Sequence, residues 1–372
     1  ANIVIVFIVV LWFFSGNYRS KYTQIISSKL LLASLIFYGL HILGMFWTED
    51  LSWGFEILHK MWYFLLLLPI LFTISKKEYF NHCTIVFLSA IALTEVVSYL
   101  IWFEIISPFK NATVINPTPF MTHISYNPIL AFATYIVMHQ VFFNKGLSRI
   151  NFFWCSFFAI SMSITMFITG GRAGQVMYFV MLSILIFQFF NFEKVKSFFA
   201  VIIVIPVIFF IAYQTSPLFQ ERVNLSLSEV LTYEKTSDKS VGVRLTYAIN
   251  SWEIIKENPL IGVGTGDFPV EYQKINIANK TNTPNSTNPH NMYTLILVQL
   301  GLLGLISMLT IFYYQIKSSF NSSNKFIRDA GITLPLLFLV VMFSDSYLLG
   351  HYTTLMFVFF SAFLYQDSEK TY

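Results

Sequence analysis

Ser197-Phe198-Phe199-Ala200-Val201-Ile202-Ile203-Val204-Ile205-Pro206-Val207-Ile208-Phe209-Phe210-Ile211-Ala212-Tyr213-Gln214 runs for eighteen residues without a charge. As a helix it would measure about 27 Å at ~1.5 Å per residue, close to the ~30 Å of a bilayer's hydrocarbon core. Lys194 and Lys196 stand directly before it. A helix apolar on every side has no face to turn to water, so the stretch reads as a membrane span. The rest of the chain repeats the pattern. Of 372 residues, 56% are hydrophobic, 18% aromatic and 11% charged, where a soluble domain carries about 25% charged residues. That balance excludes an ordinary water-soluble enzyme, a disordered chain, collagen and a coiled coil. Membrane-crossing strands would alternate polar and apolar side chains over about 10 positions, whereas these runs are continuous. The fold class is all-α, a polytopic helical membrane protein.

Apolar runs of spanning length fall at about 1–14, 30–47, 61–75, 84–105, 127–143, 150–169, 173–190, 197–214, 292–315, 330–348 and 352–366, which makes eleven. The run at 61–75 is short and extends back toward Ile57. Lys and Arg placement orients the set. With the loop 15–29 in the cytoplasm, that side holds thirteen basic residues, from Arg19 to Lys370, against Lys60, Lys110 and Arg172 in the short outer connections. The C-terminus is then cytoplasmic and Ala1 outside, so one further helix before Ala1, twelve in all, is expected. The chain divides into N-terminal transmembrane helices (1–149), helices carrying a Gly-Gly-Arg-Ala-Gly motif (150–214), a large outer loop (215–291) and C-terminal transmembrane helices (292–372). A net charge of +4, scattered among loops, gives no footing for nucleic acid. Cys83 and Cys155 sit at the edges of apolar runs with no metal-like cluster near them, and read as inert thiols.

The outer loop is the one sizeable polar piece. Within it Leu245, Ala248, Ile249, Trp252 and Ile255 recur at helical spacing, predicting an amphipathic helix over Val243–Lys256 that stops at Pro259. Ile261-Gly262-Val263-Gly264-Thr265-Gly266 follows as a turn-rich segment, and Asn276–Asn288 is polar, irregular and a plausible mobile cover.

Three residues in these surroundings could carry chemistry. Arg172, in Thr169-Gly170-Gly171-Arg172-Ala173-Gly174, lies at a membrane edge, where a guanidinium is expensive unless paired or wetted. An anionic ligand would match its planar fork; a snorkelling interfacial Arg is the plainer reading. The glycines do not make a P-loop, because Gly-Lys-Ser/Thr is missing and a helix, not a strand, precedes them. Arg244 stands at the start of the expected amphipathic helix. There an anion could be held by the side chain and the free N–H groups together, the alternative being a solvated loop Arg. His290, in Asn288-Pro289-His290-Asn291-Met292-Tyr293, marks the return to the membrane. A neutral imidazole can take a proton from a sugar hydroxyl, and a structural interfacial His is the other reading. His123 and His351 lie on the same side and could line one cavity; His41, His59, His82 and His139 read as structural. Glu95 falls inside a span and reads as either functional or neutral and hydrogen-bonded. Asp345 is a supporting candidate or an Arg partner. No Asp-x-Asp or His/carboxylate cluster has metal spacing, so neither a metal nor another cofactor is expected.

Gly170-Gly171-Arg172-Ala173-Gly174, Arg244-Leu245 through Trp252, Asn258-Pro259-Leu260-Ile261-Gly262-Val263-Gly264-Thr265-Gly266, His290-Asn291-Met292-Tyr293 and Leu300-Gly301-Leu302-Leu303-Gly304 occur in this order. Together, over about 150–310, they resemble the O-antigen ligase/polymerase superfamily of bacterial membrane glycosyltransferases. The resemblance implies a bacterial inner-membrane protein whose active site faces the periplasm. The donor would be a glycan on undecaprenyl pyrophosphate, and the acceptor a lipid A–core oligosaccharide or another glycan. It assigns Arg172 and Arg244 to the pyrophosphate and His290 to the acceptor, without a metal. The single dominant outer loop favours a ligase. Arg-x10-Gly motifs of some polymerases are absent, since Ser183, Tyr233 and Ile255 stand eleven residues after Arg172, Arg222 and Arg244. Polymerase, protein glycosylation and transport of a lipid-linked glycan remain the alternatives.

Overall fold

The computed structural model describes residues 2–110, 112–231, 240–281 and 283–366. Ala1, Lys370 and part of the outer loop (232–239) lie outside them. Helix makes up 78% of the described residues, and no strand occurs among them. The helices are α1 (Asn2–Phe14), α2 (Tyr18–Ser27), α3 (Lys29–Gly44), α4 (Leu51–Trp62), α5 (Leu68–Ile74), α6 (Phe80–Trp102), α7 (His123–Phe143), α8 (Arg149–Ile168), α9 (Arg172–Phe189), α10 (Lys194–Thr215), α11 (Pro217–Leu231), α12 (Ser240–Glu257), α13 (Phe268–Ala278), α14 (Met292–Phe320), α15 (Lys325–Val341) and α16 (His351–Leu364). One π-helical turn, Tyr63–Leu67, joins α4 to α5.

Among the described residues, seven segments are long and apolar enough to cross a membrane: Lys29–Trp47, Leu51–Ile74, Phe80–Trp102, Arg149–Ile168, Arg172–Phe189, Lys194–Thr215 and Met292–Phe320. By the same criteria α1 and α2, bent by 114°, make an eighth when taken as one span. The stretch 15–29, expected as a loop, thus contains a helix. Its turn is made by Gly16 and Asn17, both left-handed. The short run at 61–75 extends back past Ile57 to Leu51, through the π turn.

The chain divides into two compact units, 1–77 with 229–372 and 78–228. In the first, α3 packs along α14, α15 follows α14, and α16 lies on α5. Phe357 anchors this core, touching Phe64, Phe312 and Phe338 at centroid distances of 6.0, 5.7 and 4.8 Å. In the second unit α7 is central, with α8 and α9 against it. Its polar side chains are buried with partners: Tyr135 Oη donates to Gln188 Oε1 at 2.9 Å, and Thr169 Oγ1 to Asn127 Oδ1 at 3.0 Å. Glu95 of α6 accepts from the Ser161 and Thr165 hydroxyls at 2.7 and 2.9 Å. That is the hydrogen-bonded alternative for an intramembrane carboxyl.

α14 is not one straight rod. Gly301 breaks it with φ 59° and ψ −156°. The break frees Val298 O, Gln299 O, Leu302 N and Leu303 N, which a continuous helix would pair with one another. The glycine-rich loop takes up all four. Val263 N donates to Val298 O (2.9 Å), Gly264 N to Gln299 O (3.0 Å), Leu302 N to Pro259 O (2.9 Å) and Leu303 N to Leu260 O (3.2 Å). Gly262 and Gly301 allow this contact, since a Cβ on either would come within 2.4 Å of the facing backbone. Thr265 then fastens the loop to α3, its Oγ1 donating to His41 O at 2.6 Å. The turn-rich segment is therefore a backbone splice.

The bend is sharp. Ile296 Cγ2 lies 3.1 Å from where Gly304 would carry a Cβ, although residues eight apart on a straight helix are separated by about 12 Å of rise. Gly331 meets Ser319, so α14 and α15 are level there. Above that level Gly301 stands about 27 Å up α14, and Val341 about 15 Å up α15. Met292 N nevertheless donates to Met342 O at 2.9 Å. The segment 292–300 has folded back, and residues 302–320 continue beyond the break as a separate arm. Hydropathy could not show this, because both arms are apolar.

Candidate active site

The fold-back of α14 sets His290 against the connection between α15 and α16. α15 ends at Val341, so Asp345, expected within a span at 330–348, stands outside it. Asn288 ties the two turns together. Its Oδ1 accepts from His290 N (3.0 Å) and Ser346 Oγ (2.8 Å), while its Nδ2 donates to Asp345 Oδ1 (2.9 Å). His290 itself is left-handed, φ 53°, a conformation that costs energy for a residue with a Cβ and persists where neighbours enforce it. Asn291 caps α14, accepting from Thr294 N at 3.1 Å.

His290 Nδ1 lies 3.3 Å from Asp345 Oδ1, a charge contact off the line of a hydrogen bond. The ring lies parallel to Tyr247 of α12, with centroids 6.1 Å apart and planes at 21°. Tyr247 is in turn held edge-on by Tyr272 and donates to Pro284 O at 3.3 Å. Nδ1 is buried while 38% of the His290 side chain is exposed, so the accessible edge carries Nε2. Burial pushes the Asp345 carboxyl up, but His290, Ser346 N–H and the Asn288 amide outweigh it and hold Asp345 below the ordinary carboxylate range. A carboxylate facing Nδ1 favours the tautomer that leaves Nε2 free to accept a proton.

Arg244 is exposed on α12, one turn before Tyr247. Its charge acts on Tyr347, whose phenol burial pushes up to about 12. The expected placement at a helix start is corrected. α12 begins at Ser240, so Arg244 stands in the second turn and the free N–H groups belong to 240–243. Apolar periodicity begins only near Val243, which hid the first turn.

The second unit holds Arg172. The residue opens α9, half-buried, with Gly171 as its N-cap. The glycine pair makes room for two asparagines. Gly170 N donates to Asn116 Oδ1 at 2.7 Å, and a Cβ on Gly171 would meet Asn127 Nδ2 at 2.5 Å and His123 O at 3.2 Å. A Cβ on Gly174 would meet that of Asn127 at 2.1 Å, so this glycine serves close α7–α9 packing. His123 faces Arg222 of α11; burial first, then the Arg222 charge, lowers its imidazole below the usual value. Arg222 Nε is buried with no hydrogen-bond partner among the described residues. The sequence names Arg222 only as one arginine lacking the Arg-x10-Gly spacing and Asn288 only as part of a motif, and gives no sign of Tyr247. An Asn-Pro turn signal before His290 was the clue to Asn288. His351 is accounted for otherwise, its Nδ1 hydrogen-bonding Tyr63 Oη.

These features describe a helical protein with several candidate membrane spans, a half-buried carboxylate facing His290 in one unit and Arg172 in the other. Residues 157–309 match the Wzy_C family, described as O-Antigen ligase. Over this stretch, less than half of the chain, the match supports a likeness to the O-antigen ligase/polymerase superfamily, whose members are glycosyltransferase-like enzymes. A comparison with curated proteins gave no match. Arg172, Arg244 and His290 all fall within the matched stretch, and Asp345 lies beyond it.

Proposed function

We propose that the protein is an O-antigen ligase. It would transfer polysaccharide from undecaprenyl pyrophosphate to lipid A–core oligosaccharide at the periplasmic face of the inner membrane. The observation that carries this reading is the His290–Asp345 dyad, built by the domain's own helix break and presenting Nε2 outward. In the reaction an acceptor hydroxyl attacks the anomeric carbon, and its proton passes to His290 Nε2. The bond from that carbon to the pyrophosphate oxygen breaks, and undecaprenyl pyrophosphate leaves with the electron pair. One displacement inverts the anomeric centre. Arg172 and Arg244 are assigned to the growing phosphate charge, which arginines stabilise without a metal. The proposed topology puts 215–291 outside and the C-terminus in the cytoplasm.

The test expresses the chain in a strain that lacks its ligase but keeps its polymerase. Lipopolysaccharide is compared with that from folded Arg172→Ala, Arg244→Ala and His290→Ala variants. A ladder restored by the parent and lost in the variants supports the assignment. Polymerised lipid-linked glycan in a polymerase-deficient strain, with no ladder in the first, replaces ligase by polymerase.

A further inference from the structure

α12 buries a face of mixed polar and apolar side chains. Thr246, Tyr247, Asn250, Ser251, Ile254 and Ile255 point inward, and Asn250 Nδ2 donates to Thr281 Oγ1 at 3.1 Å. Its apolar stripe points out. Leu245, Ile249 and Trp252 are exposed, the last by 57%. Charged Arg244 and Lys256 stand near the two ends of this stripe. Water is the wrong solvent for such a face.

The surface it joins identifies the right one. Three residues beyond α12, Leu260 is also exposed, and its carbonyl accepts from Leu303 N on α14. Leu303 and Ile306 are the outward side chains of the spanning arm of α14. Leu260 thus stands beside the spanning arm at the splice, and exposed Lys256, Glu257 and Asn258 separate it from the α12 stripe, charged and polar groups that a headgroup layer accommodates. Trp and long basic side chains bordering an apolar stripe are the composition of a helix lying in a bilayer interface.

We propose that the outward face of α12, with Leu260, is seated in the acyl chains of the leaflet at this end of α14. Arg244 would then lie at headgroup depth, where a lipid-linked phosphate travels. The seating of α12 stands on α14 crossing the membrane and is independent of the transfer reaction.

The test uses the full chain in proteoliposomes, with Cys83 and Cys155 replaced by Ser. A polarity-sensitive fluorophore is attached to Ile249→Cys, Trp252→Cys or Leu260→Cys. Ile306→Cys serves as lipid reference and Lys274→Cys as water reference. Bilayer seating gives quenching by brominated lipid at all three sites within about twofold of Ile306, and about fivefold above Lys274. Sites that behave like Lys274, quenched by aqueous iodide, overturn the proposal. So does shielding from both quenchers, which would mean a protein partner or a second copy covers the face. An unquenched Ile306 removes α14 as a span and overturns it as well, whatever the gel assay shows for the reaction.

Discussion

At the scale of single residues, the dyad turns on a carboxylate whose neighbours keep it ionised. Asp345→Asn preserves the shape and the Ser346 contact but removes the charge facing His290 Nδ1. Transfer should fall by at least ~10-fold, with kcat affected more than KM, as befits a group that positions a general base. An unchanged kcat would remove Asp345 from the mechanism. The pH dependence has a definite sign. Because the folded-state value lies below the ordinary one, Asp345 contributes stability that is full at neutral pH. That stability is lost as pH falls below about 4, through the depressed value. Thermal unfolding in detergent should show this acid-side loss in the parent and a flatter profile in Asp345→Asn. Arg222 makes a second case, an arginine with a buried, unpartnered Nε beside His123. If it meets the donor's phosphate, Arg222→Gln should raise donor KM by about 10-fold or more, a charge-assisted hydrogen bond being worth ~1.5–3 kcal/mol. An unchanged KM would leave it a packing residue. Arg172, Arg244 and His290 were legible because each sits in a motif. Asp345 and Arg222 gave only weak signals, since their surroundings come from contacts the chain makes on folding.

At the scale of elements, the splice at Gly301 is the point where small changes should do most damage. Gly301→Ala must place a Cβ 2.3 Å from Leu260 C in a left-handed backbone. The conformation alone costs ~1–3 kcal/mol, and the clash adds to it. Gly16→Ala is the control, with the same sign of φ but nothing within 4 Å. Unfolding of the two variants in detergent should separate them clearly, and equal shifts would contradict the splice. The helix at 243–256 was readable from its 3.6-residue period. Its facing was not, because periodicity defines a stripe without saying which solvent it meets. The polar segment after it was expected to be irregular. Asn276, however, belongs to α13, and its side chain binds Thr283 O and Asn285 Oδ1 at 2.9 and 3.2 Å. Those bonds tie down the start of the proposed cover.

At the scale of the whole molecule, composition alone was enough for an all-helical membrane protein. The number of crossings was harder to read, because α15 and α16 are short and α7 carries buried Asn127 and His139. Reporter fusions decide the proposed topology. A reporter active only in the periplasm should work after Asn285 and fail after Asn144 and after Gln366; activity after Gln366 would invert the C-terminal half. The folded-back arm has one more consequence. As a straight helix, the 29 residues of Met292–Phe320 would measure about 43 Å, well beyond a ~30 Å core, whereas the arm 302–320 measures about 28 Å. Hydrophobic mismatch costs a fraction of a kcal/mol per Å. A thicker bilayer thus favours straightening, which would draw His290 away from Asp345, and a thinner one favours the fold-back that joins them. Acyl-chain length becomes a dial on catalysis: the same protein should lose activity stepwise as the lipids of its vesicle are lengthened.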